Sequence, residues 1–250
     1  MTGSGALQVG CDQCEGLGFV YLEVPVGHRL YGKAIECECT RRAKARRWAD
    51  RMRDESGLDG RQIAAMSFER FDVDGCVADE AGRVQMGRAL MVCRQYADRP
   101  EGWLILAGPY GSGKTHLALA IAGHLLARAS AVYMASVPEL LAMLRRGYDK
   151  GAAMAYDRVI GALKEVELLV LDDLGAERDT DWAREQVYEI VDHRYRRRLP
   201  MVVTTNLSLG QMGRALDGRI VSRLLDGARV AGGFSRYLAL AAGDYRRREG

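Results

Sequence analysis

The 250-residue chain is long enough to bury a sizeable core, and its 48% hydrophobic and 28% charged residues are ordinary for a water-soluble protein. It contains no apolar run near the roughly 20 residues of a membrane span and no signal-peptide core, so we expect a cytoplasmic protein with no membrane partner. The net charge of +3 is too small to predict nucleic-acid binding by itself.

Two pairs of cysteines mark the N-terminal segment. Cys11 and Cys14 are spaced as C-x-x-C, and Cys37 and Cys39 as C-x-C. Four thiolates can hold one Zn²⁺ tetrahedrally, and metal binding would replace the hydrophobic core that so short a segment lacks. The alternatives are four thiols that are close by chance, and a redox C-x-x-C, although nothing thioredoxin-like surrounds it. His28 is a further candidate ligand, but it falls at a predicted loop tip.

The residues between the cysteine pairs predict a hairpin. A strand from Phe19 to Val24 and a returning strand from Ala34 to Cys39 flank a tip at Pro25 to Gly32. Together with the cysteines this pattern predicts a zinc ribbon. We assign residues 1–55 to the ribbon and a basic linker helix, and residues 56–250 to a second domain.

The linker helix is predicted from Thr40, as its N-cap, to Arg53. Its many basic residues either contact nucleic acid or a protein partner, or simply lie in solvent, and the sequence leaves both interpretations open. Further arginines cluster at Arg194 and Arg196 to Arg198, and at Arg246 to Arg248.

The second domain opens with an aromatic segment, Ser67 to Phe71, before a helix from Glu80 to about Arg99. Phe68 and Phe71 either bracket an adenine ring or make the first core contacts of the domain. The residues alone favour the core.

The most specific signal is G-x-x-x-x-G-K-[ST] from Gly108 to Thr115. It follows an apolar run, Trp103 to Ala107, that predicts a buried strand, and it opens a helix from Thr115 to Arg128. Glycines let the loop point successive N–H groups at one anion, to which the helix adds its positive end. We therefore predict a phosphate-binding loop in which Lys114 neutralises the β- and γ-phosphates and Thr115 ligates Mg²⁺.

Two carboxylates end a second buried strand. Leu168 to Leu171 is an apolar run that ends in Asp172 and Asp173. Carboxylates at this end of a parallel strand lie where open α/β sheets bind ligands. With the phosphate loop they predict a Walker B element, in which Asp172 holds the hydration shell of Mg²⁺ and Asp173 polarises the attacking water.

Other predicted elements extend the alternation of strands and helices. They are strands at Ala131–Ser136, Met201–Asn206 and Tyr237–Ala241, and helices from Pro138, from Tyr148 to Lys164, from Thr180 to Arg197 and around Asp217 to Leu225. Asn206 either contacts the γ-phosphate or the water as a sensor, or caps the next loop. Arg219 and Arg223 lie on one face of the last helix.

The order of these segments resembles one family. The segments Gly108–Thr115, Leu168–Glu177, Thr204–Asn206, Arg219–Leu224 and Gly243–Arg246 together resemble the AAA+ ATPase of the DnaC/DnaI-type replicative helicase loaders, which is similar in turn to the IstB transposition helpers. The four N-terminal cysteines resemble the zinc-binding domain of DnaI-like and phage loaders. The resemblance implies a P-loop AAA+ fold, a three-layer α/β/α unit with a parallel sheet, preceded by a small zinc ribbon. Because the chain ends soon after its last predicted strand, we expect no C-terminal lid.

The resemblance also implies roles for single residues. Arg223 becomes the arginine finger offered to the ATP of a neighbouring subunit, with Arg219 as second candidate. The segment with Phe71 matches one that lies by the adenine. The expected ATP-binding set is Gly108, Pro109, Tyr110, Gly111, Ser112, Gly113, Lys114, Thr115, His116, Asp172 and Phe71. The expected catalytic set is Lys114, Asp173, Asn206 and Arg223, with Thr115 and Asp172 for Mg²⁺ and Cys11, Cys14, Cys37 and Cys39 for Zn²⁺.

We therefore expect an ATPase that loads a DnaB-type replicative helicase onto single-stranded DNA and self-associates through the arginine finger. ATP would act as an assembly switch with slow hydrolysis, because Asp173 is one methylene shorter than the glutamate of many AAA+ proteins. The alternatives are an IstB-like transposition accessory ATPase that binds duplex DNA, and an interaction module that binds nucleotide without hydrolysis.

Overall fold

The computed structural model describes residues 11–51, 58–75, 77, 79–149, 153–177, 180–229 and 236–240. Two segments singled out in the sequence lie outside these ranges: Gly243–Arg246, which contributes to the family resemblance, and the basic cluster Arg246–Arg248. Within them no helix is both long and apolar enough to cross a membrane.

The strands alternate with helices through most of the described chain. The strands are β1 (Phe19–Tyr21), β2 (Ala34–Glu36), β3 (Trp103–Ala107), β4 (Val132–Ser136), β5 (Leu168–Asp172), β6 (Met201–Thr205) and β7 (Tyr237–Ala239). The helices are α1 (Glu38–Arg51), α2 (Gly60–Ala65), α3 (Glu80–Asp98), α4 (Lys114–Ala127), α5 (Val137–Asp149), α6 (Ala153–Glu165), α7 (Asp181–Arg197), α8 (Leu209–Ala215) and α9 (Gly218–Gly227), with a 3₁₀ turn at Phe68–Arg70.

In the described ranges, strands β3 to β7 form one parallel sheet in the order β4-β5-β6-β3-β7. Strand β6 therefore lies between β3, which leads into the phosphate loop, and β5, which ends in the carboxylates. The register sets Ala107 opposite Thr205 and Leu171 opposite Val203. All three strands end at one edge, so the sheet brings the predicted nucleotide-binding segments together.

Each face of the sheet is covered by its own hydrophobic core. Side chains of successive strand residues point to opposite faces, so Ile105 and Val203 pack with α5, α6, α7 and α9, whereas Leu104 and Val202 pack with α3 and α4. Strands buried on both faces are typical of parallel sheets between helical layers. The predicted three-layer α/β/α fold is confirmed.

The N-terminal hairpin is shorter than predicted. Strand β1 ends at Tyr21 rather than Val24, and β2 ends at Glu36 rather than Cys39. Strand β2 ends early because the Cys37 carbonyl already accepts hydrogen bonds from the next helical turn. The second cysteine pair thus straddles the start of α1, which a strand pattern alone does not reveal.

The prediction of Thr40 as N-cap is wrong, because α1 begins at Glu38. Thr40 lies inside the first turn, and its hydroxyl donates to the Gly18 carbonyl at 3.1 Å. This bond ties α1 to the turn that follows the first cysteine pair.

Helix α1 packs against α6 and β4 of the α/β unit. Its Arg46 pairs with Glu167 at 2.7 Å, and Arg41 lies 3.9 Å from Glu165. Ala49 is buried in the hydrophobic core beneath. Part of the basic face predicted for solvent or nucleic acid therefore contacts the chain's own carboxylates.

The predicted helix from Tyr148 to Lys164 is wrong at its start, because Tyr148 belongs to α5 and the next helix begins at Ala153.

Arg194, which the sequence groups with the second basic cluster, is wholly buried. Its guanidinium donates to the carbonyls of Leu163 and Val166, each at 2.9 Å, and burial lowers its pKa to about 9. This arginine joins α7 to the end of α6 and is not part of a charged surface.

Candidate functional site

Several positions of the phosphate loop require glycine. A Cβ on Gly108 would clash with the Leu240 carbonyl oxygen. Gly111 and Gly113 have φ values of 73° and 84°, which L side chains rarely adopt. A Cβ on Gly113 would also lie 2.8 Å from Cε2 of Phe71. Gly113 is the residue before α4, so the loop turns directly into a helix N-terminus, where backbone N–H groups favour an anion.

Lys114 is buried at the start of α4. Its Nζ donates to the Pro109 carbonyl at 2.7 Å and lies 3.4 Å from Oγ of Ser112. The ammonium group is therefore held inside the curve of the loop, next to the backbone that would surround a phosphate. Tyr110, at the outer side of the same loop, is exposed.

The two candidate adenine contacts differ in their surroundings. Phe71 lies edge-on to the His116 ring with centroids 5.2 Å apart, and His116 Nε2 is 2.8 Å from the Ser67 carbonyl oxygen. Phe68 is buried in the core between α3 and α4, with its edge toward His124. Of the two phenylalanines, Phe71 is the one beside the phosphate loop, and Phe68 makes core contacts.

The ends of β5 and β6 bring oxygen ligands to the phosphate loop. The Thr115 hydroxyl donates to the Asp172 carboxylate, at 3.1 Å from Oδ1 and 3.2 Å from Oδ2, and Thr204 donates to Oδ1 at 2.5 Å. Burial, with the neighbouring charge of Asp173, raises the pKa of Asp172 despite these hydrogen bonds. A hydroxyl and a carboxylate are the ligand types that Mg²⁺ takes in nucleotide sites, so this pair fits the ion.

Asp173 has a left-handed backbone, with φ of 57°. Its N–H donates to the Thr204 hydroxyl at 2.9 Å, and its Oδ1 accepts from Asn206 Nδ2 at 3.1 Å. Asn206 Oδ1 is buried and has no hydrogen-bond partner among the described residues. An acceptor of this kind suits an O–H of a water molecule beside the Asp173 carboxylate.

The two candidate fingers lie on α9 and contact α7. Arg223 donates to Asp192 at 2.6 Å and to the Tyr188 hydroxyl at 3.0 Å, whereas Arg219 stacks on the Tyr188 ring at 4.2 Å and pairs with Asp217 at 2.8 Å. The side chain of Arg219 is 57% exposed and that of Arg223 is 23% exposed. The structure thus places Arg223 in a polar cluster of its own chain and Arg219 nearer the surface.

The four N-terminal cysteines form a compact cluster whose sulfur atoms all lie within 4.8 Å of one another. Cys11 and Cys37 are 3.7 Å apart and Cys14 and Cys39 are 3.4 Å apart, close to the edge of about 3.8 Å in a tetrahedron with Zn–S distances near 2.3 Å. The cluster therefore fits a structural zinc ion.

The pKa values of Cys14 and Cys39 are shifted in opposite directions. The backbone amide of Gly18 lowers the pKa of Cys14 to about 7, whereas burial raises that of Cys39 to about 12. Zinc binds thiolates, so binding would release protons from the less acidic sulfurs. His28 is not part of the cluster, and its Nδ1 accepts from the Leu30 N–H at 3.2 Å.

Sequence reasoning missed three side chains that hold the predicted residues. Thr204 contacts both aspartates, and Asp192 and Tyr188 hold Arg223. Tyr188 and Asp192 are four residues apart in a predicted helix, so their common face is readable, but the packing of α7 against α9 is not. The role of Thr204 can be recognised only once β6 is known to lie beside β5, and the sequence does not reveal the order of the strands.

Comparisons with known proteins show which family and fold the chain shares. The model of the family described as IstB-like ATP binding protein matches residues 40–232. The replicative helicase loader DnaC of Escherichia coli strain K12 is 28% identical over 139 residues, covering 54% of this chain and 56% of that protein. The chain thus spans about half the length of the curated relatives it matches.

Two solved structures are also similar. The DnaC helicase loader is 26% identical with a TM-score of 0.53, and the alignment covers 69% of this chain and 97% of that one. DnaI is 27% identical with a TM-score of 0.52, and the alignment covers 66% of this chain and 88% of that one. The resemblance inferred from the ordered motifs is confirmed.

Proposed function

The chain belongs to the family of IstB-like ATP-binding proteins, and we propose that it is an ATP-dependent loader of a replicative, DnaB-type DNA helicase. The observation that carries the proposal is the meeting of the phosphate loop with Asp172, Asp173 and Asn206 at one edge of a parallel sheet, in a chain similar to DnaC. The other parts of the proposal concern the nucleotide, the ribbon and the assembly.

The nucleotide part uses groups that are already oriented. Lys114 and the backbone N–H groups of the loop would bind the β- and γ-phosphates, with Phe71 and His116 on the side where the base would lie. Thr115 and Asp172 would hold Mg²⁺, which supplies positive charge next to the transferring phosphoryl group.

Hydrolysis would use Asp173 and Asn206. The Asp173 carboxylate would orient a water molecule toward the γ-phosphate, and Asn206 Oδ1 would accept one of its hydrogens. Attack of that water would yield ADP and phosphate. One Asp173 oxygen already accepts from Asn206, and the side chain is shorter than glutamate, so both features support slow turnover.

Turnover would be completed by a second subunit. An arginine of α9 would stabilise the charge on the γ-phosphate of a neighbour, and Arg223 remains the first proposal because its segment matches the family pattern. Arg223 would then have to leave Asp192 and Tyr188 on assembly, and the more exposed Arg219 would have to leave Asp217 and the Tyr188 ring. Comparing alanine variants of the two arginines would separate these assignments.

The ribbon would dock on the helicase. We propose residues 1–55 as ribbon and linker helix and residues 56–250 as the ATPase domain. The ribbon exposes apolar side chains that its own small core does not use: Leu17, Phe19, Tyr21, Leu22, Val26 and Tyr31. Exposed apolar side chains on a metal-stabilised module are suited to a protein partner. The ATP-bound oligomer would also hold the single-stranded DNA that receives the helicase.

The alternative is an IstB-like transposition accessory ATPase that binds duplex DNA. The family description itself favours this alternative. The cysteine cluster favours the loader, because its arrangement resembles the zinc-binding domain of DnaI-like and phage loaders.

The test is co-purification with the replicative helicase of the same host in Mg-ATP and in Mg-ADP. A variant with Cys37→Ser and Cys39→Ser removes two of the proposed zinc ligands. Cys93→Ala is the control, because it removes a buried thiol outside the four-cysteine cluster. We expect a complex that depends on the nucleotide, that the double serine variant loses and that Cys93→Ala keeps. No complex in either nucleotide, together with tight binding to duplex DNA, would favour the alternative.

A further inference from the structure

Thr204 is the fourth residue of β6 and its side chain is wholly buried. Its hydroxyl donates to Asp172 Oδ1 at 2.5 Å and accepts from the Asp173 N–H at 2.9 Å. One hydroxyl thus contacts the side chain of the first aspartate and the backbone of the second.

We propose that Thr204 is the positioning residue of ATP hydrolysis, because its hydroxyl fixes the Asp172 carboxylate and the Asp173 backbone relative to each other. The inference rests on the proposed ATPase function. It adds to that function a residue that contacts neither nucleotide nor water but orients the two side chains that do.

The backbone at Asp173 shows why such a residue is needed. A left-handed conformation is disfavoured for a residue that carries a side chain, and contacts with the surroundings must hold it. Thr204 makes two hydrogen bonds to the backbone of this turn. Its hydroxyl accepts from the Asp173 N–H, and its carbonyl accepts from the Leu174 N–H at 2.9 Å. The turn that aims the Asp173 side chain toward Asn206 is therefore attached to β6 through Thr204.

The carboxylate of Asp172 is oriented by the same hydroxyl. Thr204 and Thr115 both donate to Oδ1, whereas Oδ2 accepts from Thr115 alone among the described residues. With Oδ1 held by β6 and both oxygens in contact with the Thr115 hydroxyl, the carboxylate plane cannot rotate freely and stays directed to Thr115, beside which Mg²⁺ would be held. A charge-assisted hydrogen bond of this kind is stronger than one between neutral groups.

Packing alone does not require a hydroxyl at this position. The other inner residues of β6 include Val202 and Val203, and valine has nearly the shape of threonine. The next residue, Thr205, is equally buried, and its hydroxyl also makes two hydrogen bonds, to the Leu174 carbonyl at 2.7 Å and from the Leu207 N–H at 3.1 Å. Thr205 contacts neither carboxylate, so it provides a matched control for loss of a buried hydroxyl on β6.

The test measures steady-state ATP hydrolysis and Mg-ATP affinity for the full chain and for Thr204→Val, Thr204→Ser and Thr205→Val. We expect Thr204→Val to lower kcat by about tenfold to a hundredfold, as for loss of one buried hydrogen bond to a charged group, with KM within about twofold. The kcat of Thr204→Ser should lie within about threefold of the wild-type value. The kcat of Thr205→Val should also lie within about threefold of wild type, but its melting temperature should be lower.

The results separate this inference from the function on which it rests. If the wild-type chain neither binds nor hydrolyses ATP, the ATPase proposal fails and the role of Thr204 fails with it. If the wild-type chain hydrolyses ATP but Thr204→Val matches it, or Thr205→Val loses as much kcat, the inference alone is overturned. ATP binding reports folding of each variant, and Thr204→Ala replaces the valine variant if that one does not bind.

Discussion

Lys114 and Asp173 divide the expected work of the site between binding and turnover. Lys114 is held within the loop and would contact phosphates already in the ground state, whereas Asp173 lies with Asn206 where the attacking water would be. Interactions made in both the ground and transition states affect binding, and those made only in the transition state affect kcat.

Substitution of these two residues should therefore have different consequences. We expect Lys114→Ala to weaken ATP binding by more than about tenfold, because a buried charge-assisted contact is lost. Asp173→Asn should keep ATP affinity within about threefold and lower kcat by about a hundredfold or more, since an amide is a poor base. Equilibrium binding and single-turnover hydrolysis measure the two effects, and an equal loss of affinity in both variants would contradict the division.

Gly113 offers a second prediction at the residue scale. Gly113→Ala should abolish ATP binding, because its left-handed φ disfavours a side chain and the new Cβ would clash with the Phe71 ring. Gly161→Ala is the control, as nothing lies within 4 Å of its Cβ position inside α6, and it should stabilise the fold by about 0.5–1 kcal/mol. Binding by calorimetry and unfolding by denaturant check the pair, and normal ATP binding by Gly113→Ala would refute the loop geometry.

Helix α1 illustrates what an element contributes beyond its charge pattern. It connects the cysteine cluster to the α/β unit, with Arg41 and Arg46 facing Glu165 and Glu167 just before β5. Burial alone would raise the pKa of Glu165, but the hydrogen bond from His193 and the charge of Arg41 outweigh it and lower that pKa. A carboxyl whose pKa is lowered in the folded state stabilises that state above its unfolded pKa, near 4.3.

This contact predicts how stability depends on pH. Glu165→Gln should lower the melting temperature at pH 7 by about 2–4 °C, the usual effect of about 1 kcal/mol in a chain of this size. The difference should shrink as the pH falls through and below about 4, because the wild-type carboxyl is then protonated as well. Thermal unfolding from pH 3 to 8 measures it. Glu139→Gln is the control, because Glu139 is exposed and makes no ion pair among the described residues. A difference that is constant with pH would exclude the assigned ion pairs.

The elements also show how far sequence reasoning reached. The bounds of β3 were predicted to the residue, because an apolar strand before a phosphate loop is strongly patterned. The start of α1 was missed because Cys37 belongs to the cysteine cluster and its carbonyl also accepts the first hydrogen bonds of the helix. The role of Thr204 was missed because it depends on β6 lying beside β5. Composition and periodicity report which face is buried, but not which strands are neighbours.

For the ribbon we predict a separable contribution to partner binding. Phe19→Ala with Tyr21→Ala removes two exposed rings from β1 and should weaken helicase binding by about tenfold or more, leaving ATP hydrolysis unchanged. The control is Met91→Ala on α3, which removes an exposed apolar side chain outside both the ribbon and the phosphate loop. Pull-down with purified helicase compares the double variant with the Met91→Ala control. Equal helicase binding by the two would exclude β1 as the docking face.

At the scale of the whole molecule, α1 joins the module that carries the four-cysteine cluster to the unit that carries the proposed ATP site. The module fits a zinc ion, the sheet edge fits Mg-ATP, and α9 carries the arginines proposed to reach a second subunit. An assembly completed in trans would form only when ATP is bound, and its dissociation would follow hydrolysis. Such an arrangement suits a switch that places another protein on DNA and then departs.

The most direct test of this account is loading of the host's replicative helicase onto circular single-stranded DNA, measured as retained helicase and subsequent strand unwinding. We predict loading by the wild-type chain in ATP, little in ADP, and none by Lys114→Ala. Failure to load helicase in any nucleotide, with ATP-dependent coating of duplex DNA by the same protein, would contradict the loader function and favour the transposition accessory ATPase.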